Sequence, residues 1–194
     1  MSKFFYKDKP IIGLDISSTG IKIMSVDSKK WLVNGYGSLD LDPIRVKESL
    51  ENETSTYLTE NIKLLLEEKN VGTLSSTLAA IAIPTTRSYT RTFTLPSSAE
   101  KSLDEAVILE AEQYIPIPAS TLYIGYQVIE RSKKTITVLM SAVSRTIVDN
   151  VVRSVEAAGL QPVLIEPSIT SVGRLLTATE DGDLPTVIVD IGLV

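Results

Sequence analysis

The feature that most constrains the fold is an apolar stretch near the N-terminus, residues 11–16, that ends in an acidic residue, Asp15, and an isoleucine. An apolar run of this length with one carboxylate at its end predicts a buried strand that delivers Asp15 to the carboxyl-terminal edge of a sheet. A turn of small residues follows, and a second apolar stretch, residues 21–26, predicts the returning strand. The chain is therefore expected to be organised around this hairpin.

The turn and its neighbours match the pattern of a phosphate site. The residues concerned are Asp15, Ser17, Ser18, Thr19, Gly20 and Lys22. Backbone N–H groups in a turn of small residues can converge on an anion. Asp15 would hold a hydrated Mg²⁺ beside the phosphate, and Lys22 would supply a positive charge. An ordinary β-hairpin with a polar turn explains the same residues without a ligand, and both interpretations stay open at this point.

Composition removes several classes of function. The 194 residues include neither cysteine nor histidine. This excludes disulfides, thiol nucleophiles, Cys-based metal sites and Ser-His-Asp catalysis. The formal net charge is −5 and no basic run exceeds a pair, so nucleic acid is not expected as a partner. No apolar run approaches the about 20 residues needed to span a bilayer, and we expect a cytoplasmic protein.

The first part of the chain has the pattern of an α/β unit. After the hairpin, residues 31–39 predict a third strand, and residues 40–53, with Pro43 and many charges, predict a connector. Apolar residues at helical spacing predict a helix over residues 54–69. Residues 78–83 form a near-continuous apolar run, which predicts a strand buried on both faces.

From Thr85 the pattern changes to that of an α+β module. Ser97, with Glu100 three residues later, predicts a capping box that starts a helix, and two prolines within residues 115–118 must end it. Two alternating stretches, residues 122–128 and 136–142, predict a hairpin. A helix follows from Ser144 and ends at Gly159.

The last residues repeat the pattern of the first strand. A short strand at residues 163–165 and a helix from Ser168 are followed by residues 186–192, an apolar strand that carries Asp190 with Gly192 two positions later. Two strands that each deliver an aspartate are what a two-lobed phosphate clamp needs. We therefore expect a second lobe that is only begun within these residues.

Four segments together resemble the PilM family of type IV pilus assembly proteins, within the actin-like ATPase superfamily. They are residues 4–18, 110–118, 155–162 and 189–192. The most specific is Glu-Ala-Glu-Gln-Tyr-Ile-Pro-Ile-Pro at residues 110–118, which the related division protein FtsA does not share. The Asp-Ile-Gly pieces are less specific, because sugar kinases and chaperone ATPases carry them too. The family's first loop usually reads Asp-Ile-Gly-Ser-Ser, and here Ser17 stands at the glycine position, with Gly20 later in the turn.

The resemblance implies an α/β fold in which an actin-like (ribonuclease H-like) subdomain 1A carries an inserted α+β 1C module and the first strand of a truncated second lobe. The implied boundaries are 1–84 for subdomain 1A, 85–162 for subdomain 1C, 163–185 for the return to subdomain 1A and 186–194 for the start of subdomain 2A.

The resemblance also implies a function, that of a cytoplasmic scaffold in type IV pilus assembly. ATP and Mg²⁺ would bind in the intact protein, with Asp15 and Asp190 at the metal and the turn residues, Lys22 and Gly192 at the nucleotide. The partner would be the cytoplasmic N-terminus of the bitopic membrane protein PilN. Through PilN and other inner-membrane pilus components the protein would lie at the inner membrane, and self-association is compatible with the family. No residue pattern indicates a hydrolytic base, so we expect weak or no ATPase activity.

Two alternatives stay open from the sequence. One is an FtsA-like, filament-forming cell-division protein, which an amphipathic membrane helix at the C-terminus of the protein would favour. The other is an actin-fold small-molecule kinase, which would need a carboxylate base facing a sugar pocket.

Overall fold

The computed structural model describes residues 10–27, 29–179 and 187, and they fall into two compact units. One unit contains the described residues up to Pro84 and those from Asp149 onward, and the other is Thr85–Val148. The inserted module implied by the sequence extended to residue 162, whereas residues 149–162 group with the first unit. The second predicted strand that carries an aspartate, at residues 186–192, lies outside the described residues apart from Val187.

Nine strands and five helices are described. The strands are β1 (Ile12–Ile16), β2 (Gly20–Asp27), β3 (Leu32–Asp40), β4 (Asn70–Gly72), β5 (Leu78–Ile83), β6 (Ser88–Pro96), β7 (Leu122–Arg131), β8 (Thr135–Ser144) and β9 (Gln161–Pro167). The helices are α1 (Pro43–Glu51), α2 (Tyr57–Glu67), α3 (Leu103–Tyr114), α4 (Arg145–Ala157) and α5 (Ser168–Thr179). Short 3₁₀ turns precede β6, α3 and β7.

The first unit is built on a mixed six-stranded sheet in the order β4-β3-β2-β1-β5-β9. Strand β1 is antiparallel to β2 and parallel to β5, which is parallel to β9. Alternate residues of these strands are fully or almost fully buried on one face, namely Ile12, Leu14, Ile16, Ile21, Ile23, Ala79, Ile81 and Ile83. This period of two is what a strand requires to give one face to the core. The predicted opening hairpin is therefore present, with β1 at the centre of the sheet.

Helix α2 covers this buried face. Leu58, Ile62 and Leu65 are fully buried at helical spacing. The chain that leaves the helix lies so close to β3 that a Cβ at Gly37 would be 2.6 Å from the carbonyl oxygen of Lys69 and 3.0 Å from the side chain of Leu65. Glycine at position 37 thus makes room for the backbone that follows α2 and for Leu65, and the apolar stripe of the helix completes the core.

The connector predicted over residues 40–53 is wrong, because α1 occupies most of it. The Asp42 side chain accepts hydrogen bonds from the backbone N–H groups of Ile44 and Arg45, and Pro43 stands at the first helical position, where its missing N–H costs nothing. Burial of Val46 and Leu50 then fixes the helix on the core. The many charges that suggested a connector lie on its solvent side.

The opposite face of the sheet is open, and this overturns the prediction that β5 is buried on both faces. Leu78, Ala80 and Ala82 are only half-buried, while the residues between them are buried. On the neighbouring strands the side chains of Met24 and Tyr36, which lie opposite each other in the β2–β3 pair, are 48% and 54% exposed. Strand β5 therefore alternates in burial, although its sequence does not alternate in polarity.

The second unit is a three-stranded antiparallel sheet, in the order β6-β8-β7, with α3 packed on one face. Its core joins one face of each strand to a stripe of α3 and consists of Leu95, Leu103, Val107, Ala111, Ile115, Leu122, Ile136, Val138, Met140 and Ala142. At the surface of this packing the Tyr126 hydroxyl donates a 2.5 Å hydrogen bond to the Asp104 carboxylate. That bond raises the pKa of the tyrosine, because deprotonation would place an anion beside the carboxylate.

Of the two predicted ends of α3, the structure has the C-terminal one but not the N-terminal one. The helix stops before the two prolines, as predicted. The predicted capping box at Ser97 is wrong, because residues 97–102 form a 3₁₀ turn and the α-helix begins at Leu103. The Ser97 hydroxyl instead donates to the carbonyl oxygen of Lys133, on the β7–β8 hairpin. A contact made 36 residues away has replaced the local cap.

In the part of the chain that the structure describes, no helix is both long and apolar enough to cross a membrane.

Helix α4 ends two residues before Gly159, whose φ of +90° lies in the region that suits glycine at a helix end.

The core of the second unit gives a first testable prediction. Leu103 is 8% exposed in that core, whereas Leu109 on the same helix is 63% exposed. Leu103→Ala should lower the free energy of unfolding by about 2–5 kcal/mol, through lost burial and the cavity left behind. Leu109→Ala is the matched control and should change it by less than about 0.5 kcal/mol. Urea denaturation followed by circular dichroism measures both, and equal effects would contradict the packing of α3.

Candidate functional site

Asp15 and Lys22 lie side by side on the open face of the first unit's sheet. Leu14 and Ile16 occupy the core face of β1, so the residues between and before them, Asp15 and Gly13, belong to the other face. Asp15 is half-buried and stands directly opposite the exposed Lys22 in the antiparallel β1–β2 pair. Both predicted charges therefore lie at the same end of the sheet, where β1 ends.

These two residues line a cavity of about 600 Å³ on the open face. Its floor is formed by small residues of the central strands, Gly13, Ala80 and Ala82, so that the backbone lies close to the surface. Met24 and Tyr36 stand on the β2–β3 side. A cavity of this volume, mostly apolar and with a few polar groups at one end, has the dimensions of a small-molecule site.

The turn between β1 and β2 is closed by its own hydrogen bonds. The Ser17 backbone N–H donates to the carbonyl oxygen of Gly20 at 2.9 Å, and the Ser17 hydroxyl donates to the same oxygen at 3.0 Å. The Thr19 N–H points back to the Ser17 hydroxyl at 3.4 Å. In this conformation the N–H of Ser17 is used within the turn. The turn residues 17–20 flank the cavity residues in sequence but do not line the cavity.

The backbone at Ser17 accepts a serine, although the loop that the sequence resembles usually has glycine at this position. Among the described residues, Trp31 is the one non-glycine residue with a left-handed φ, so Ser17 has an ordinary backbone conformation. Gly20 is under a stronger constraint, because a Cβ there would lie 2.8 Å from the carbonyl oxygen of Leu39. The close approach of β3 therefore requires glycine at the end of the turn and not at its start.

Glu166 is a site residue that sequence reasoning missed. It lies near the end of β9 and lines the same cavity as Asp15 and Lys22. Its side chain is 13% exposed, accepts a 2.8 Å hydrogen bond from the Ser171 hydroxyl and forms an ion pair with Arg174. The sequence did carry a signal for Glu166, because it is a carboxylate at the end of a predicted strand, as Asp15 is.

The Asp15 end of the cavity could supply a carboxylate to one side of a hydrated cation. Within the described residues no group of three or more acidic side chains could enclose a metal ion. Mg²⁺ at a nucleotide keeps several waters and uses only one or two carboxylates together with phosphate oxygens, and Asp15 fits that role. Glu166 is already held by Arg174 and Ser171. The other predicted ligands, Asp190 and Gly192, lie outside the described residues.

The fold is of the actin-like class. Strands β1, β2 and β3 are antiparallel neighbours, β5 and β9 run parallel to β1, and an aspartate stands near the end of β1. Two solved structures resemble the chain over more than four fifths of its length. The family model for the type IV pilus assembly protein PilM matches residues 13–192. The chain therefore belongs to the PilM family.

Two solved structures give the measure of this similarity. A chain of a PilM–PilN type IV pilus biogenesis complex superimposes with a TM-score of 0.74 and 24% sequence identity, covering 87% of this chain and 50% of that one. The cytoplasmic domain of EpsL, an inner membrane component of the type II secretion system of Vibrio cholerae, superimposes with a TM-score of 0.54 and 12% identity over 82% of this chain and 57% of that one. This chain thus spans about half the length of the PilM–PilN structure that it matches.

The two glycines of the hairpin provide a test of the site's geometry. Gly20→Ala should lower the free energy of unfolding by about 1–3 kcal/mol, because the new Cβ must displace the β3 backbone. Gly13→Ala is the control, since the nearest heavy atom to its Cβ would be 3.9 Å away, and it should cost less than about 1 kcal/mol. Thermal unfolding of the two variants compares them directly. The described hairpin register is wrong if Gly13→Ala proves to be the more damaging change.

Proposed function

We propose that this chain is part of a cytoplasmic actin-like scaffold of type IV pilus assembly, which binds the cytoplasmic N-terminus of a PilN-like membrane protein. The observation that carries the proposal is the family match over residues 13–192, supported by the resemblance to the PilM–PilN complex. Through that partner, and through other pilus components of the inner membrane, the scaffold lies at the membrane surface. Self-association of the scaffold is part of the same proposal.

The described sheets offer backbone groups to an extended peptide. In the three-stranded sheet of the second unit, β6 and β7 each pair with β8 on one side only. Extended peptides gain affinity by pairing with such an edge and by placing alternate side chains in pockets. A short peptide gives up chain entropy when it docks, so its affinity should be moderate.

The partner proposal predicts direct peptide binding. A labelled peptide from the N-terminus of the neighbouring PilN-like protein should bind this chain with a dissociation constant in the micromolar range, worth about 8 kcal/mol. Fluorescence anisotropy measures the binding. A peptide of the same composition in scrambled order is the control and should not saturate. If the native peptide does not bind to folded protein, the assignment to PilN is wrong.

We also propose that the intact protein binds ATP with Mg²⁺ at the Asp15 end of the cavity. Asp15 would hold the hydrated metal ion, and Lys22, directly opposite, would offset the phosphate charge. The turn residues Ser17, Ser18, Thr19 and Gly20 would meet the phosphates after Ser17 releases its contact with Gly20. Asp190 and Gly192 would contribute from the second lobe. When bound, the metal ion neutralises phosphate charge, while the residues of this chain bind and orient the nucleotide.

The nucleotide proposal predicts a difference between this chain and a protein with both lobes. The chain alone contributes one side of the site and should bind ATP no more tightly than about millimolar. In the two-lobed protein, Asp15→Asn or Lys22→Ala should weaken ATP binding about tenfold to a hundredfold, the effect of one lost charged hydrogen bond or ion contact. Calorimetry gives both values.

Lys63→Ala is the matched control for Lys22→Ala, because Lys63 is an exposed lysine on α2 that does not line the cavity. It should leave ATP affinity unchanged. Micromolar binding of ATP by residues 1–194 alone would contradict the need for a second lobe. Equal affinities of the Asp15→Asn variant and the parent protein would remove Asp15 from the site.

A further inference from the structure

The tip of the β2–β3 hairpin presents a tryptophan to solvent. The Asp27 carboxylate accepts hydrogen bonds from the backbone N–H groups of Lys29 and Lys30, at 3.0 and 3.1 Å, and so shapes the turn. The next residue, Trp31, has a φ of 54°. Trp31 is 70% exposed, and the next two residues, Leu32 and Val33, are 57% and 54% exposed. We call residues 29–33 the Trp31 tip.

Folding does not account for this tryptophan. A left-handed φ is strained for a bulky side chain and is the usual place of glycine or asparagine in a hairpin. The exposed indole buries little surface in return. Strained positions that persist at a cost to stability are concentrated at functional sites, so the indole is expected to contact something outside the chain.

The chemistry of the tip matches one kind of surface. An indole ring has an apolar body and one N–H donor, the combination that places tryptophan at the boundary between lipid headgroups and acyl chains. Leucine and valine follow it, and two exposed lysines precede it. The Lys30 ammonium lies 4.0 Å from the partly exposed Asp27 carboxylate, and the lysine side chain is 72% exposed, so the pair holds it only weakly. Basic residues beside an exposed apolar tip are attracted to anionic lipid.

We propose that the Trp31 tip inserts into the headgroup region of a bilayer that contains anionic lipids. The protein's net charge of −5 would oppose adsorption over its whole surface, so contact is confined to this tip. Lys22 stands near the start of β2 and Asp27 at its end, about 17 Å further along the strand. Lipid contact at the tip therefore leaves the Asp15 end of the sheet accessible.

Trp31 is the sole tryptophan of the chain, so its fluorescence reports on the tip alone. The protein is titrated with vesicles of phosphatidylcholine containing phosphatidylglycerol and, separately, with vesicles of phosphatidylcholine only. With the anionic vesicles we expect a shift of the emission to shorter wavelength and quenching by brominated acyl chains, both reversed by high salt. Neutral vesicles should produce a much smaller change.

Three variants are tested by co-sedimentation with the anionic vesicles. They distinguish binding through the Trp31 tip from electrostatic attraction of other lysines to the vesicles. Trp31→Gly should lose most of the binding while its melting temperature stays the same or rises, because the strain at φ 54° is relieved. K29E/K30E should also lose it. K133E/K134E makes the same charge change at the β7–β8 hairpin, which lacks a tryptophan, and should bind as the parent does.

The proposal is overturned if the emission of Trp31 does not change with anionic vesicles at low salt, or if K133E/K134E loses as much binding as K29E/K30E. It is also overturned if the emission shifts on self-association or on addition of the PilN-like peptide but not with lipid, since the indole would then contact protein. Peptide binding to the Trp31→Gly variant, measured by anisotropy, tests the scaffold proposal separately from lipid contact.

Discussion

The structure of the first unit depends on the two-sided pairing of β1. This strand is antiparallel to β2 on one side and parallel to β5 on the other, and its three isoleucine and leucine side chains are buried on a single face. Because a strand alternates its side chains, burial of Leu14 and Ile16 obliges Asp15 to project from the other face. Core packing thereby places the Asp15 carboxylate on the open face, and a shift of one residue in register would bury it.

The open face of the sheet has a cavity at its centre and large apolar side chains exposed to solvent beside it. Small residues at its centre, Gly13, Ala80 and Ala82, bring the backbone near the surface and create the cavity. The same small residues leave Met24 and Tyr36 standing exposed beside them. Parallel strands such as β1, β5 and β9 are normally covered on both faces, and here Ser171 is the only described residue of helix α5 that lines the cavity. The face is therefore suited to a further layer or a ligand.

The two ends of β2 differ in what they present. At the start of the strand, Lys22 faces the cavity, where its charge is opposite a carboxylate. At the far end, Asp27 uses its carboxylate to shape a turn that holds an exposed tryptophan. Lys22 and Asp27 are thus five positions apart on β2, so the proposed nucleotide contact at one end does not block the proposed lipid contact at the other.

The elements whose signals are local could be predicted from the sequence. The opening hairpin, the end of α3 at its prolines, the β7–β8 hairpin and the family were predictable because alternation, helix breakers and short motifs act over a few neighbouring residues. Helix α1 was missed although Asp42 and Pro43 form a good helix start. Its many charged residues concealed the two apolar residues, Val46 and Leu50, that are buried in the core.

Tertiary packing decided the features that the sequence did not predict. It drew the Ser97 hydroxyl to Lys133 in place of a helix cap, left one face of β5 open and brought Glu166, 151 positions beyond Asp15 in the numbering, to the same cavity. Contacts between residues so far apart depend on which strands become neighbours, and no local pattern carries that information.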